Sequence, residues 1–223
     1  MGLILESDAR NHGEVLVNGN SQIVTYKDGV VRFVKHTKQR TDSTGGFLGS
    51  TVYSPDEETR ALIEDEELKS VAPNAEKGYY GVQGVDYFLV NQGGTKTVYI
   101  TEINARWNGS SYPTIIADKL GSDSWISTAA VATNLKTGKH ANMRTIEDFI
   151  KAVGRDLAFG NTQSGLVVPI MFRSYVSWSS AVYSPNISIQ IIRNSTEHCD
   201  EIVQLLLKKV SNVTSKTPNI VGS

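Results

Sequence analysis

Apolar and polar residues alternate with a period of two over several short stretches of the first half of the chain, the pattern of half-buried strands. Leu3–Glu6, Glu14–Asn18, Ser21–Lys27 and Val30–Lys35 read in this way. Asn18-Gly19-Asn20 and Lys27-Asp28-Gly29 carry turn chemistry that would fold the last three into an antiparallel meander. Lys35–Ser54 is polar and glycine-rich and reads as a mobile loop. Ser54-Pro55-Asp56-Glu57-Glu58 then opens a helix, with Ser at the cap, Pro next and acids in the first turn. That helix is expected to run to about Val71, to bury Ala61, Leu62, Leu68 and Val71, and to end or kink at Pro73-Asn74. Its seven acids between Asp56 and Glu67 read as a solvated face.

Gly81–Val90 and Thr97–Ile103 alternate again, around turn-forming residues with Gly93–Gly94 at their centre. Register decides which side chains meet. A two-residue Gly93–Gly94 loop pairs Gln92 with Thr95 and, counted along the strands, Asp86 with Thr101. A three-residue Gly93–Thr95 loop or a five-residue Gln92–Lys96 loop pairs Asp86 with Glu102 instead, and Asn104 joins them on the same face. Two carboxylates directly opposite each other repel, so a sheet that places them there calls for a cation between them. Carboxylate and amide oxygens are hard ligands, which suit Mg²⁺ better than zinc. The blander alternative is a surface hairpin whose acids point to solvent.

Beyond the hairpin, Thr114–Leu120 reads as a short helix stopped by Gly121, and the Ala-rich Ser124–Asn134 as another. Thr145 caps a helix Ile146–Phe159; Gly165–Phe172 is an apolar strand in which Pro169 marks an edge or a bulge. Asn186–Arg193 alternates as a half-buried strand, Ser195 caps a last helix Thr196–Val210, and Thr214–Ser223 is a loose tail. The fold class expected is α+β: an antiparallel sheet with flanking helices, followed by a small α+β subdomain.

A formal net charge of −1 gives no general attraction to nucleic acid or to acidic membranes. No apolar run approaches the roughly 20 residues that span a bilayer, and MGLILESDAR lacks a signal peptide's basic and apolar regions. A cytoplasmic setting is expected. The single Cys199 rules out an internal disulfide and reads as a small buried residue of the last helix. Asn-x-Ser/Thr sequons at Asn108, Asn186, Asn194 and Asn212 read as chance.

Val85-Asp86-Tyr87, followed by Ile100-Thr101-Glu102-Ile103-Asn104-Ala105-Arg106 and the small polar loop Asn108–Ser111, resembles the metal-binding hairpin of ATP-grasp enzymes. The resemblance covers roughly residues 3–138, taken as the C-terminal half of an ATP-grasp domain, with 139–223 a separate small domain. It implies that Asp86, Glu102 and Asn104 hold the Mg²⁺ (or Mn²⁺) ions of ATP. Arg106 would face the transferred phosphoryl or the acyl phosphate, as both a catalytic and a nucleotide-binding group. It implies too that Glu6 ends the hinge strand that reads adenine, that Glu14 accepts from the ribose hydroxyls, and that Lys35, Lys38 and Arg40 offer charge to an acyl phosphate or carboxylate. The loop Asn108–Ser111 would offer backbone N–H groups. His36 receives no role. The family's N-terminal half, with its phosphate-binding lysines and Gly-rich loop, cannot be placed upstream of Leu3, so a fragment or one polypeptide of a split enzyme is expected. The implied function is an ATP- and Mg²⁺-dependent carboxylate–amine ligase of the peptide type. Its partners would be ATP, small carboxylate and amine substrates and the missing half, with no nucleic acid and no membrane. A non-catalytic nucleotide- or metal-binding module and a structural interaction module are the alternatives.

Overall fold

The computed structural model describes residues 8–41, 46–121, 124–128, 147, 150, 151, 154, 166–176 and 183–214. The chain divides into two compact units, residues 1–39 with 52–114 and residues 40–51 with 115–223.

In the first unit, strand β1 runs unbroken from Glu14 to Thr25, where the sequence suggests two strands and a turn at Gly19. The glycine serves packing: a Cβ at Gly19 would lie 2.2 Å from the ring of Tyr87. The turn at Lys27-Asp28-Gly29 does form, with Tyr26 N–H donating to Val30 O at 2.8 Å and Gly29 at φ 83°. Strand β2 (Val31–Thr41) follows and strand β3 is Phe47–Tyr53, so much of the expected loop Lys35–Ser54 is strand. The long β1 gives β2 a ladder to extend along, as far as Gly19 opposite Lys38. Helix α1 spans Glu57–Glu76. Its cap is Asp56 and not Ser54, for the Asp56 carboxylate accepts from Thr59 N–H at 2.8 Å. Pro73 is accommodated inside the helix, which ends at Lys77 before Gly78 in a left-handed conformation (φ 88°).

The hairpin consists of β4 (Gly81–Gln92) and β5 (Thr95–Asn104), and the strand order of this unit is β5-β4-β1-β2, all antiparallel. One face carries Val17, Tyr87, Leu89 and Val98 against Ile63 of α1, and Ile23 and Val85 against Val71. The helix row that turns inward is Thr59, Ile63, Glu67 and Val71, spaced by four. Of the residues expected inside, Val71 is buried, whereas Ala61 and Leu68 face solvent. Glu67, read as part of the solvated face, is fully buried.

Helix α2 (Ser111–Lys119) stops at Gly121, whose φ is 66°. The second unit orders its strands β3-β6-β8-β7, with β6 Trp125–Thr128, β7 Leu166–Val176 and β8 Tyr183–Ile192. The helix expected at Ser124–Asn134 is thus contradicted at its start. Trp125 and Ile126 are fully buried, Trp125 paired with Ile192 and Ile126 paired on both sides, with Thr51 and with Ile191, which outweighs the helical preference of the Ala-rich run. Pro169 sits on the last strand of the order, where the β7–β8 ladder slips between Pro169 and Met171. Helix α3 (Thr196–Thr214) starts under Ser195, whose hydroxyl accepts from His198 N–H at 3.3 Å. The structure is an α+β fold of antiparallel strands and flanking helices. Leu3–Glu6, most of Ile146–Phe159 and a boundary near residue 138 lie outside the described residues.

Candidate functional site

The face of the first sheet opposite α1 is polar. Gln92 pairs with Thr95, so the hairpin loop is the two-residue Gly93–Gly94, each glycine at positive φ (61° and 97°). That loop alone would set Asp86 against Thr101. The ladder instead slips by one between Tyr87, opposite Ile100, and Asp86, opposite Glu102. Thr101 is the extra residue of a β-bulge, and the two carboxylates face each other across the strands. Asn104 follows two residues on, opposite Gly84.

Asp86 is half-buried and ringed by amides from three strands. Its Oδ1 accepts from Asn20 Nδ2 at 2.6 Å and Gln39 Nε2 at 2.9 Å, and its Oδ2 from Asn104 Nδ2 at 3.2 Å. Burial pushes the Asp86 carboxyl above its ordinary range and Glu102 adds to this, while the Asn20 and Gln39 amides pull it back. The carboxylate and amide oxygens of Asp86, Glu102 and Asn104 are hard ligands that fit a small hard cation, and burial together with repulsion from Glu102 leaves Asp86 short of positive charge. Among the described residues no three His, Cys, Asp or Glu side chains converge on one point. Mg²⁺ is commonly held in this way, by one or two carboxylates with waters and substrate phosphates completing its shell.

Arg106 leaves the end of β5 exposed, its Nη1 donating to Trp107 O at 3.3 Å and its N–H to Asn104 O at 2.7 Å. The loop beyond folds on Asn108, whose Oδ1 accepts from Ser110 N–H at 2.9 Å and Ser111 N–H at 3.2 Å. Those two N–H groups, expected to meet a substrate, are committed within the loop. Glu14 is exposed and pairs with Asn91, five residues along β4 from Asp86, roughly 17 Å at the usual strand rise. The structure does not bring it together with the carboxylate pair, and Glu6 lies outside the described residues. Lys35 stands opposite Gln22 on β2, Lys38 lies 4.5 Å over the Tyr53 ring, and Arg40 is paired with Asp200 at 2.8 Å within the second unit.

No family model matches the chain, and no curated protein does. Solved structures do. N5-carboxyaminoimidazole synthetase from Staphylococcus aureus complexed with ADP superposes with a TM-score of 0.51 at 10% identity, over 88% of this chain and 51% of that one. The synthase from Aspergillus clavatus in complex with ADP and 5-aminoimidazole ribonucleotide gives 0.53 at 13% identity, over 89% and 52%. The synthetase from Thermus thermophilus gives 0.51 at 15% identity, over 92% and 52%. The fold is of the ATP-grasp type. The chain spans about half the length of these synthetases.

Sequence reasoning singled out Asp86, Glu102 and Asn104 but not the amides near them, Asn20 and Gln39 against Asp86 and Gln22 behind Asn20. Their alternation along β1 and β2 was the available signal, obscured by reading Asn18-Gly19-Asn20 as a turn. Sequence reasoning also missed a polar cluster on the α1 side. His36 is buried, meets Ser21 Oγ at 2.7 Å and Glu64 Oε1 at 3.2 Å, and burial lowers its pKa. Beside it, Glu67 is pushed up to about 8 by burial, with Glu64 and Asp86 adding to the shift. Ser21, already engaged with His36, offers Glu67 only a weak contact, and neither Glu67 oxygen has a well-formed hydrogen bond among the described residues. Among the described residues no helix is long and apolar enough to cross a membrane.

Proposed function

We propose that this chain forms the C-terminal half of the nucleotide cleft of an ATP- and Mg²⁺-dependent carboxylate–amine ligase. The observation that carries the reading is the opposition of Asp86 and Glu102, with Asn104 beside them, on the polar face of a sheet of ATP-grasp type. Asp86, Glu102 and Asn104 would hold Mg²⁺, which supplies charge neutralisation to the ATP phosphates. The amides of Asn20 and Gln39 fix the Asp86 carboxylate, so that it presents its charge without reorganisation. Arg106 is the forked donor that meets the transferred phosphoryl group. The γ-phosphoryl passes to a substrate carboxylate, and an amine then displaces phosphate from the acyl phosphate. The ADP complexes of the S. aureus and A. clavatus enzymes support the choice of nucleotide. Peptide-bond formation, the identity of the two substrates and pairing with an N-terminal half all belong to this proposal.

Calorimetric titration of the chain with ATP and excess Mg²⁺ tests it. The expected result is weak, Mg²⁺-dependent binding that Glu102→Ala abolishes. Binding that persists without Mg²⁺ or in Glu102→Ala overturns the assignment of the hairpin. Silence both from this chain and from the chain joined to an ATP-grasp N-terminal half overturns the ligase reading.

A further inference from the structure

Gln22 is a buried side chain, 2% exposed, on the polar face of β1, and it belongs to no part of the hairpin motif. Its Nε2 donates to Asn20 Oδ1 at 2.5 Å and to Asn108 Oδ1 at 3.0 Å, and its Oε1 accepts from Ser111 Oγ at 2.5 Å. Asn20 in turn donates to Asp86. A continuous run of hydrogen-bonded side chains therefore leads from the Asp86 carboxylate, through Asn20 and Gln22, to the loop that begins at Arg106. Opposite Gln22 on β4 stands Gly84, where a Cβ would lie 1.7 Å from Asn108 Nδ2. The missing side chain is the notch in which the Asn108 amide rests.

We infer that Gln22 is a positioning residue, which docks the loop after β5 onto β1 and so fixes where Arg106 stands relative to Asp86 and Glu102. The physical reason is the cost of a buried amide left unpaired. Gln22 is satisfied only when the loop lies down, because two of its three partners, Asn108 and Ser111, come from that loop. Undocking strands the Gln22 carbonyl oxygen and removes one acceptor from its N–H₂ group. The docking stands on these contacts alone; its relevance to phosphoryl transfer rests on the nucleotide reading above.

Arg106 supplies the readout, since it is exposed and trypsin cleaves after it. In limited proteolysis of the full chain, Gln22→Met is expected to speed cleavage of the Arg106–Trp107 bond roughly tenfold, as the loop opens more often. Gln83→Met is the control: Gln83 is another fully buried amide of this sheet, donating to Thr25 Oγ1 at 2.8 Å, outside the run to Asp86. It is expected to leave that bond at the wild-type rate. Cleavage of Gln22→Met at the wild-type rate, or equal acceleration in Gln83→Met, overturns the inference. Should Gln22→Met not fold, Ser111→Ala removes one Gln22 partner from the loop side. Faster cleavage there supports the docking and an unchanged rate overturns it. Titration with Mg²⁺ and ATP separates the two ideas. Weaker binding in Gln22→Met, with no further loss on adding Arg106→Ala, supports the role at the site. Faster cleavage in a chain that binds no nucleotide in any form sinks the nucleotide reading and leaves the docking in place.

Discussion

Asp86 and Glu102 face each other across β4 and β5 although only two residues close the hairpin, because the ladder slips by one at Thr101. The opposition is a cost when no cation is present. Glu102→Gln is therefore expected to raise the stability of the free chain by a few tenths of a kcal/mol, a small gain because Glu102 is exposed and screened. The same variant should lose the Mg²⁺- and ATP-dependent rise in melting temperature. Thermal melts of both proteins with and without Mg²⁺ and ATP check this, and a Glu102→Gln chain still stabilised by the pair would contradict it.

Glu67 should make the protein weaker in alkali. Its pKa stands at about 8 in the folded chain against an ordinary 4.5. Between those values the folded state holds a proton that the unfolded chain has released, so stability falls as pH rises through that window. Glu67→Gln keeps the shape of the neutral acid and removes the slope. Urea midpoints at pH 5.5 and pH 8.5 are expected to differ in the wild type by several times the difference seen in Glu67→Gln.

Two glycines should resist alanine for different reasons. At Gly19 the new methyl meets the Tyr87 ring, locked in the core against Ile63, and a loss of about 3 kcal/mol is expected. At Gly84 it meets the Asn108 amide, with Asn20 Nδ2 at 3.1 Å behind it, and displacing that amide gives up the bonds that fold the loop, so a loss of about 2 kcal/mol is expected. Gly84→Ala should also accelerate cleavage after Arg106, and Gly19→Ala should not do so selectively. Chemical denaturation and the digestion assay read both effects.

Cys199 should be inert. It is buried with its Sγ 3.6 Å from Ile191 O, and burial pushes the thiol up to about 11. A thiol reagent at neutral pH is expected to label the native chain very slowly and the urea-unfolded chain at once, with one equivalent.

The hairpin was legible in the sequence because its strands, its Gly93–Gly94 tip and its acids are local signals. The slip at Thr101 was not, since a bulge depends on how the neighbouring strands twist: the Asp86–Glu102 pair, expected from a three- or five-residue loop, is reached with a two-residue loop and a bulge. Gly19 misled for a related reason. The requirement for it comes from Tyr87, far along the chain, while Asn-Gly-Asn carries the local mark of a turn. Leu68 was expected inside and Glu67 outside; the sheet selects the helix row Thr59-Ile63-Glu67-Val71, and a row set by docking overrides the polarity of one member. At Ser124 the Ala-rich residues downstream outvoted Trp125 and Ile126, whose strand role depends on β3 and β8. The amides around Asp86 carry no motif of their own and become visible only when three strands lie side by side.

The slip at Thr101 has an effect at the margin of the first sheet too. Among the described residues β5 is the end strand of the order, and an end strand with an even row of unsatisfied N–H and C=O groups can recruit a stranger's strand. The extra residue interrupts that row and twists it out of line. The irregularity that brings two carboxylates together thus also discourages molecules of this protein from stacking edge to edge, and a chain regularised by deleting Thr101 is expected to aggregate sooner on storage.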